Sequence, residues 1–460
     1  MKKITTLLFA GLAFASTQKV TAQTTTLRIY DTALFYGGYG PLSNIIAPLP
    51  TRVVPLKTSL YTTKMTSAEL AQIGSNLTLN VTIKASCDNY DRAGHVRLAL
   101  VPKGDMAYPY SDTATSTVDT NVKRLEIARF ITPFMDKNKT PDTVPYSYQV
   151  NNVASILKEK SITDNYDIWL ELEVFGVASA AQTQITGCSG RYDVFYGTVD
   201  LVTDGSTAHE ADNIIIPLGA ELNFNNYQAG ATDSIGTTVK TIGFTLDSIS
   251  YNTSLYLITS NHGSNANGEE YNRREHFVYL DGTDVLEYKP GFTSCEPHRV
   301  YNTQANGIYG ASAMSDAQWQ SFSNWCPGAY IPIRIINVGT LAAGAHAFKI
   351  SVPDAQFVGQ QGNFPLSVYV QGKSDNIPNG IREVNEMQAS TSLYPNPAKN
   401  ELYISTKGKI NKAFIFNMLG QKVWEGKSQT INVGQFEKGV YYMKIRFGND
   451  ITIVKSFVKQ

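Results

Sequence analysis

The chain has 460 residues, of which 17% are charged and 11% are aromatic, with 26 tyrosines. This length allows about three domains, and the abundance of Tyr, Thr, Ser, Asn and Gly favours an extracellular β-rich protein over a helical enzyme. The net charge of zero hides an uneven distribution, because residues 23–390 hold 25 basic and 35 acidic residues and residues 391–460 hold 11 and 4. The acidic middle argues against a nucleic-acid partner. Beyond the N-terminus no run approaches the ~18 apolar residues of a membrane span.

Residues 1–22 have the pattern of a secretory signal. Lys2 and Lys3 precede a short apolar run at residues 4–15, and Val20-Thr21-Ala22 is a small-residue cleavage site. The alternative is a short N-terminal helix of the mature fold. We therefore expect an exported protein that begins near residue 23.

Residues 23–206 predict one β domain, and residues 207–373 predict a second. Both contain short alternating strands between polar, glycine-bearing turns, as in a sandwich or jelly roll. The predicted strands include residues 77–83, 96–101, 125–131, 168–174, 254–258, 276–280, 331–336 and 366–370. A polar linker at residues 374–390 then leads to a basic block, residues 391–460, that predicts a small β-sandwich.

The predicted strand at residues 168–175 alternates strictly. Trp169, Glu171, Glu173 and Phe175 share one face, and aliphatic residues form the other. Aromatic rings and carboxylates on one open face suit a sugar, whose C–H faces stack and whose hydroxyls hydrogen-bond. The alternative is a solvated strand face that has two glutamates by chance.

The stretch at residues 87–92 (CDNYDR) places two carboxylates and an arginine where the strand at residues 77–83 ends. We expect this acidic pair on the rim of a cleft, where a partly desolvated Asp91 could act as a general base on water. An ordinary acidic turn is the alternative. The sequence has no nucleophile elbow, P-loop or dinucleotide fingerprint, so carboxylates would have to do any chemistry.

The four cysteines favour disulfides, since an exported chain with an even cysteine count commonly forms them. We pair Cys295 with Cys326 inside the second β domain, which leaves Cys87 with Cys188. Metal binding is the competing use, but no C-x-x-C or H-x-H spacing is present. We predict no metal and no cofactor.

Five motifs in register resemble the peptide-N-glycosidase F family over most of residues 25–372. They are residues 87–92 (CDNYDR), 129–134 (RFITPF), 195–200 (FYGTVD), 270–276 with Cys295, and 324–328 (NWCPG). The resemblance implies two adjacent eight-stranded antiparallel jelly rolls with a glycan cleft along their interface. It also implies the Cys295–Cys326 disulfide.

The family's activity is hydrolysis of the amide that joins N-acetylglucosamine to asparagine in N-linked glycoproteins. By the resemblance, Asp91 is the primary catalytic carboxylate, Glu270 faces it across the cleft, and Glu171 positions water and the chitobiose core. Arg92 and Tyr271 would contact the sugar. Trp169, Arg274 and Asn261 complete the predicted substrate-binding set.

Three departures from the family pattern fall near the cleft. The cysteine that closes a small loop near the catalytic aspartate is absent, and Cys188 is its candidate substitute. Asn261 stands where the family has a tryptophan, and Phe322 stands at or near an arginine position. A glycan-binding protein without turnover is therefore the main alternative to an amidase. A copper monooxygenase is a third, which the lack of clustered His and Met ligands argues against.

Residues 391–460 resemble the C-terminal sorting domain of the type IX secretion system. The motifs are residues 393–397 (LYPNP), 417–423 (NMLGQKV), 439–442 (GVYY) and 455–458 (KSFV). A carbohydrate-binding sandwich of the same size is the alternative. The resemblance implies outer-membrane export, with the secretion machinery as a partner. We expect a secreted monomer that acts on glycoproteins or glycopeptides.

Overall fold

The computed structural model describes residues 24–104, 121–204, 212–263, 268–322, 324–374, 387–388, 390–406, 408–418, 420–447 and 451–460. The predicted signal segment, residues 1–22, and most of the predicted linker at residues 374–390 lie outside these ranges. The chain divides into two compact units, residues 1–375 and 376–460. Both predicted jelly rolls belong to the first unit.

The first jelly roll is two antiparallel sheets packed face to face. One sheet has the order β1-β9-β4-β7 and the other the order β6-β5-β8-β3-β2. Apolar residues of β4 alternate with partly exposed polar ones, which is why this strand buries one face only. The strands are β1 Thr25–Tyr36, β2 Val53–Pro55, β3 Leu60–Lys64, β4 Leu77–Ala85, β5 Ala93–Pro102, β6 Lys123–Ile131, β7 Thr143–Gln149, β8 Tyr166–Val174 and β9 Asp193–Thr203.

The second jelly roll has two four-stranded antiparallel sheets, β10-β18-β12-β16 and β11-β17-β13-β14. Its strands are β10 Asn213–Leu222, β11 Val239–Leu246, β12 Ser250–Thr259, β13 His276–Leu280, β14 Thr283–Tyr288, β16 Arg334–Leu341, β17 Gly344–Ser351 and β18 Leu366–Lys373. The prediction of an all-β fold with adjacent jelly rolls is confirmed. The eight-strand count fits the second roll, whereas the described part of the first roll has nine strands because the three-residue β2 extends one sheet.

A short strand between β14 and β16, β15 Tyr330–Ile331, crosses from one roll to the other. It pairs with Arg129 and Phe130 of β6, so it adds a strand to a sheet of the first roll. The predicted continuous strand at residues 331–336 is therefore wrong. Pro332 follows β15 and has no N–H for a ladder, and the chain leaves the first sheet there before β16 begins.

The two rolls share buried surface. Tyr256 and Tyr369 belong to the second roll, yet they pack into the main core of the first. Arg129 is fully buried between the rolls. It donates to both oxygens of Glu126, to Ser260 Oγ at 2.9 Å and to the carbonyl of Pro365 at 2.8 Å.

The helices of the first unit are short and lie between strands. They are α1 Ser67–Leu70, α2 Asn151–Lys158, α3 Lys160–Asn165, α4 Ala181–Gln184 and α5 Asp316–Ser321, with 3₁₀ turns at Leu42–Asn44, Glu269–Tyr271, Glu296–Tyr301 and Val358–Gln360. Both α1 and α5 begin with a capping box. The side chain of the N-cap residue, Thr66 or Ser315, accepts from the backbone N–H of the third helical residue, and the side chain of that residue, Glu69 or Gln318, accepts from the N-cap N–H.

The second unit is a small β domain with its own core. Its sheets have the orders β19-β20-β23 and β22-β21-β24-β25. Buried apolar residues from both sheets, among them Leu402, Ile415 and Met443, form that core. The strands are β19 Ser392–Tyr394, β20 Glu401–Ser405, β21 Ile410–Phe416, β22 Lys422–Gly426, β23 Thr430–Asn432, β24 Gly439–Phe447 and β25 Thr452–Lys459.

Candidate active site

Asp91 lies in the connection between β4 and β5. Thr132, just after β6, forms hydrogen bonds with the residues on both sides of Asp91. The Thr132 hydroxyl accepts from the Arg92 N–H at 2.8 Å and donates to the Tyr90 carbonyl at 3.0 Å, while the Thr132 N–H donates to the Arg92 carbonyl. The Cys87–Cys188 disulfide fixes the start of the same connection. Both ends of the short segment that presents Asp91 are therefore anchored.

Asp88 does not share the rim position predicted for the acidic pair. It is only 1% exposed. Its carboxylate accepts from Arg92 Nε at 2.8 Å, from the Val177 N–H at 2.7 Å and from the Tyr90 N–H at 3.0 Å. The prediction of two rim carboxylates is wrong for Asp88, because this carboxylate organises the backbone beneath Asp91.

Glu270 comes from the second roll, in the 3₁₀ turn at Glu269–Tyr271. The Asn324 side-chain amide donates to the carbonyls of Glu269 at 2.9 Å and Glu270 at 2.7 Å. Glu269 itself is buried and ion-paired with Arg274 at 2.9 Å, and it accepts from the Gln356 N–H. The turn is thus held from two sides, which fixes the direction of Glu270.

Two glycines let a second loop approach Glu270. Gly263 donates its N–H to Glu270 Oε2 at 3.0 Å, and its φ of 134° is a conformation that side chains disfavour. His262 and Asn363 form a two-bond bridge beside it. A Cβ on Gly362 would lie 2.1 Å from the His262 carbonyl oxygen, so only glycine permits this contact.

Asp91 and Glu270 line one cavity of about 880 Å³ between the rolls. The predicted residues Arg92 and Tyr271 line it as well. Apolar and aromatic side chains form most of the remaining wall, and sequence reasoning assigned no role to several of them. The full lining is Tyr90, Asp91, Arg92, Ala93, Ile131, Phe134, Phe175, Ala180, His262, Glu270, Tyr271, Gly307, Ile308, Phe322 and Trp325.

The cavity raises the pKa of both carboxyl groups. Burial raises the pKa of Asp91 to about 7, the charge of Glu270 adds to the rise, and Arg92 opposes it. Burial also raises the pKa of Glu270, against a lowering by the Gly263 N–H and by the Tyr271 hydroxyl. Two like-charged groups in one cavity favour the state in which one of them holds a proton near neutral pH.

His262 lies in the wall as a neutral ring. Burial lowers its pKa to about 3, and the positive charge of Arg129 lowers it further. Its Nε2 is 2.8 Å from Ser260 Oγ, and its ring stacks on Trp325 with centroids 6.0 Å apart. The Trp325 indole N–H donates to the Asn261 carbonyl at 3.0 Å. The motif at residues 324–328 could have indicated Trp325, but no sequence signal indicated His262.

Glu171 and Trp169 are on β8 but outside the Asp91 cavity. Glu171 is fully buried and forms ion pairs with Arg97 and Arg124. The prediction of an open sugar-facing surface is wrong at Glu171, because these arginines cover it. Phe175, four residues further along the same face, does reach the cavity. Trp169 lines a separate groove near α1 and α3.

Arg274 and Asn261 also lie outside the cavity lining. Arg274 binds the buried carboxylate of Glu269 through two nitrogens, so its charge is used within the second roll. Asn261 is fully buried, and neither polar atom of its side chain has a hydrogen-bond partner among the described residues. The geometry therefore does not favour contact of either side chain with a ligand in the cavity.

Both predicted disulfides, Cys87–Cys188 and Cys295–Cys326, are present in the structure. Within the described residues, one cluster has the spacing of metal ligands. It consists of His95, Glu126 and Glu221, and one possible ligand atom of each lies within 4.8 Å of the other two. Glu126 is paired with Arg129, and Glu221 with Arg97. In the folded chain, these two carboxylates neutralise the charges of arginine side chains.

Family models match both rolls. The model for "Peptide-N-glycosidase F, N terminal" matches residues 46–191. The model for "Peptide-N-glycosidase F, C terminal" matches residues 229–371. The chain belongs to the peptide-N-glycosidase F family. No curated protein sequence matched the chain.

Solved structures named PNGF-II share the fold. Two crystal forms of PNGF-II are 17% and 18% identical to the chain, with TM-scores of 0.53 and 0.52. Each alignment covers 77% of this chain and 66% of PNGF-II, just under two thirds of that protein. PNGase F, a glycosylasparaginase from Flavobacterium meningosepticum, is 15% identical, with a TM-score of 0.47 over 76% of this chain and 96% of that one. At these identities, the likeness to PNGF-II establishes the fold alone.

The second unit matches the model for a secretion system C-terminal sorting domain at residues 392–460. This domain indicates type IX secretion and export to the cell surface or the extracellular space. Among the described residues, no helix combines the length and the apolar character that crossing a membrane requires.

Proposed function

We propose that the protein is a secreted amidase that hydrolyses the N-acetylglucosaminyl-asparagine bond of N-linked glycoproteins. The observation that carries this proposal is the pairing of Asp91 and Glu270 in one cavity, one carboxylate from each roll of a peptide-N-glycosidase F fold. PNGase F is described as a glycosylasparaginase. The cavity offers the groups that the same reaction requires.

Asp91 is the proposed general base. With a pKa raised to about 7, its carboxylate takes a proton from water more readily than an ordinary aspartate does at neutral pH. The water oxygen bonds to the side-chain carbonyl carbon of the glycosylated asparagine. The C–N bond then breaks, and the nitrogen leaves with the sugar as a glycosylamine after taking up a proton. The former asparagine becomes aspartate.

Glu270 and Tyr271 are proposed to hold the water and the first sugar from the opposite wall. Glu270 accepts from the Gly263 N–H, and its charge raises the pKa of Asp91, so Glu270 is the proposed ionised member of the pair. Once Asp91 has taken the proton from water, its protonated carboxyl is a source for the proton on the leaving nitrogen. Arg92 is 22% exposed, and its Nε and Nη2 donate to Asp88, so Nη1 is the nitrogen proposed to contact sugar hydroxyls.

The aromatic wall suits a carbohydrate. Phe134, Phe175, Phe322 and Trp325 surround the two carboxylates, and sugar C–H faces pack on such rings while hydroxyls reach the polar groups. Glu171 is left out of the proposed mechanism. Its ion pairs with Arg97 of β5 and Arg124 of β6 give it a structural role that links β8 to those strands.

The test is incubation of the full chain with a denatured N-glycosylated protein, followed by mass analysis of the glycosylation sites. We expect released glycan and Asp in place of each modified Asn. Asp91→Asn should abolish release while leaving circular dichroism unchanged. Asp247→Asn, an exposed aspartate between β11 and β12, is the matched control and should cleave as wild type.

Two outcomes would contradict the proposal. Full activity in Asp91→Asn would mean that another group is the base. Glycan binding by the wild-type protein without cleavage of any N-glycan class would favour the non-catalytic glycan-binding alternative. We also propose that the sorting domain directs the protein through the outer membrane and is removed during export, which N- and C-terminal sequencing of the secreted form would test.

A further inference from the structure

A loop of the first roll, residues 37–47, leaves large apolar side chains exposed to solvent. Tyr39 is 84% exposed and Ile46 is 86% exposed, and Leu42 between them is exposed as well. None of the residues from 32 to 51 carries a charge. These apolar side chains form a cluster within one loop, and such clusters, unlike single scattered residues, mark interaction sites.

The loop is closed on itself by hydrogen bonds at both ends. At its start, the Gly37 N–H donates to the Tyr192 carbonyl at 2.9 Å, and the Thr58 hydroxyl donates to the Gly37 carbonyl at 2.9 Å. At its end, the Ala47 N–H donates to the hydroxyl of Tyr36 at 3.0 Å. Tyr36 is the buried last residue of β1. Both ends are therefore tied to β1, as in the compact surface loops that often carry function.

Phe175 connects this loop to the Asp91 cavity. Phe175 lines the cavity, and the ring of Tyr39 meets its ring edge to face with centroids 5.2 Å apart. A Cβ on Gly38 would lie 2.6 Å from two atoms of the Phe175 ring, so the backbone of the loop lies directly on that ring. The Phe175 N–H donates to the carbonyl of Ala93, two residues after Asp91, at 3.3 Å. The loop is therefore continuous with the cavity wall on the Phe175 side.

We propose that the loop at residues 37–47 binds apolar side chains of the polypeptide next to the glycosylated asparagine. This inference rests on the proposed function, in which the amide of that asparagine reaches Asp91. The polypeptide is covalently joined to the reacting amide, so it passes the rim of the cavity within a few residues, at about 3.4 Å per residue of extended chain. On the Phe175 side, the surface that it meets there is this loop.

The chemistry of the loop favours apolar amino-acid side chains over further sugars of the glycan. A sugar requires hydrogen-bonding groups for its hydroxyls beside an apolar surface. Among residues 40–48, all of which the structure describes, Ser43 is the one exposed polar side chain. The other exposed side chains there are those of Pro41, Leu42, Ile46 and Pro48. Burying hydrocarbon against hydrocarbon is favourable, so we expect a preference for glycosylation sites with apolar neighbours.

The experiment measures binding to the full chain with Asp91→Asn by isothermal titration calorimetry, so that no probe is cleaved. Two probes are glycopeptides with the same N-glycan, one with Phe, Leu and Ile around the glycosylated asparagine and the other with Ser and Gly. The third is the free oligosaccharide. We expect the apolar glycopeptide to bind at least tenfold more tightly than the polar one, and the oligosaccharide to bind no more tightly than the polar one.

The deciding variant adds Tyr39→Ser and Ile46→Ser to the same protein. It should weaken binding of the apolar glycopeptide at least fivefold. Affinity for the polar glycopeptide should be unchanged, which would show that the cavity is intact. The matched control, Tyr442→Ser with Ile235→Ser, removes an exposed tyrosine and an exposed isoleucine elsewhere in the chain and should change neither affinity.

Four results would overturn the proposal. They are equal affinity for the two glycopeptides, oligosaccharide binding as tight as that of the apolar glycopeptide, no measurable binding of either glycopeptide, and an equal loss in the two double variants. A dimer that dissociates on changing Tyr39 and Ile46, with glycopeptide affinity unchanged, would also overturn it and assign the loop to contact between copies. A wild-type protein that cleaves neither glycopeptide, while the apolar preference in binding persists, would count against the amidase alone.

Discussion

Replacing Asp91 with asparagine should stabilise the protein at alkaline pH while it removes the proposed base. The pKa of Asp91 is raised from 3.8 to about 7 in the folded state. Between these two values the folded chain keeps a proton that the unfolded chain has lost, so the free energy of unfolding falls as pH rises. Above pH 7 the full cost of holding an ionised Asp91 is present. Asparagine carries no such cost.

The pKa difference sets the size of the effect. A shift of about 3 units corresponds to about 4 kcal/mol as an upper bound, and we expect about 1 to 3 kcal/mol because the buried amide must also give up water. Because the cost of burying the amide does not depend on pH, the variant should be somewhat less stable than wild type at pH 4. Its relative stability should rise through pH 5 and 6 and level off above pH 7, where it exceeds that of wild type.

Differential scanning calorimetry of the full chain at pH 4, 5, 6, 7 and 8 measures this growth. At about 2 °C per kcal/mol for a unit of this size, Asp91→Asn should melt about 2 to 6 °C above wild type at pH 8. Asp247→Asn should show no pH-dependent difference. A constant offset at every pH, or a less stable Asp91→Asn protein at pH 8, would refute the reasoning about the cavity.

Glu270→Gln removes the like charge beside Asp91, so the acidic limb of the kcat/KM profile should move from near pH 7 to lower pH by about one unit; an unmoved limb would show that the two groups are not coupled. Arg129→Met removes the arginine partner of the buried Glu126 carboxylate, which among the described residues keeps only its contacts with His95 and Ser367, and should cost about 3 to 5 kcal/mol in denaturant unfolding. A cost below about 1 kcal/mol would mean that the network is not buried in solution. Cys188→Ser breaks the Cys87–Cys188 disulfide and should cost about 2 to 5 kcal/mol of stability and lower glycan release. The control is wild-type protein in the same buffer, shown by disulfide mapping to retain this bridge, and it should lose neither stability nor activity.

The sequence was sufficient for the class of fold and for part of the site. Strand alternation predicted β4 and β8, and short strand-like runs between polar, glycine-bearing turns predicted β5 and β6. The stretches around Asp91 and Glu270 both proved to line one cavity. These assignments depended on local pattern and on motifs that remain close together along the chain.

The predictions that were wrong concerned side chains whose partners come from distant segments of the chain. The alternation in β8 correctly placed Trp169, Glu171 and Phe175 on one face, but it could not show that Arg97 and Arg124 cover the middle of that face. Asp88 and Asp91 are three residues apart, and only the folded chain shows that one binds backbone N–H groups while the other meets Glu270.

The position of His262 in the cavity wall could not be predicted from the sequence either. Its position depends on the bridge to Asn363, a residue 101 positions away. Its neutral state depends on burial and on the charge of Arg129 from the other roll. No local pattern in the loop at residues 261–271 carries that information.

The strand β15 has a consequence for production of the protein in pieces. Tyr330 and Ile331 cover the last residues of β6, where Phe130 and Arg129 are fully buried. A truncated chain that stops after the first roll would leave this hydrophobic edge with unpaired N–H and C=O groups, and such edges recruit strands from other molecules. Truncation before β15 should therefore give aggregates, so a soluble fragment has to include both rolls.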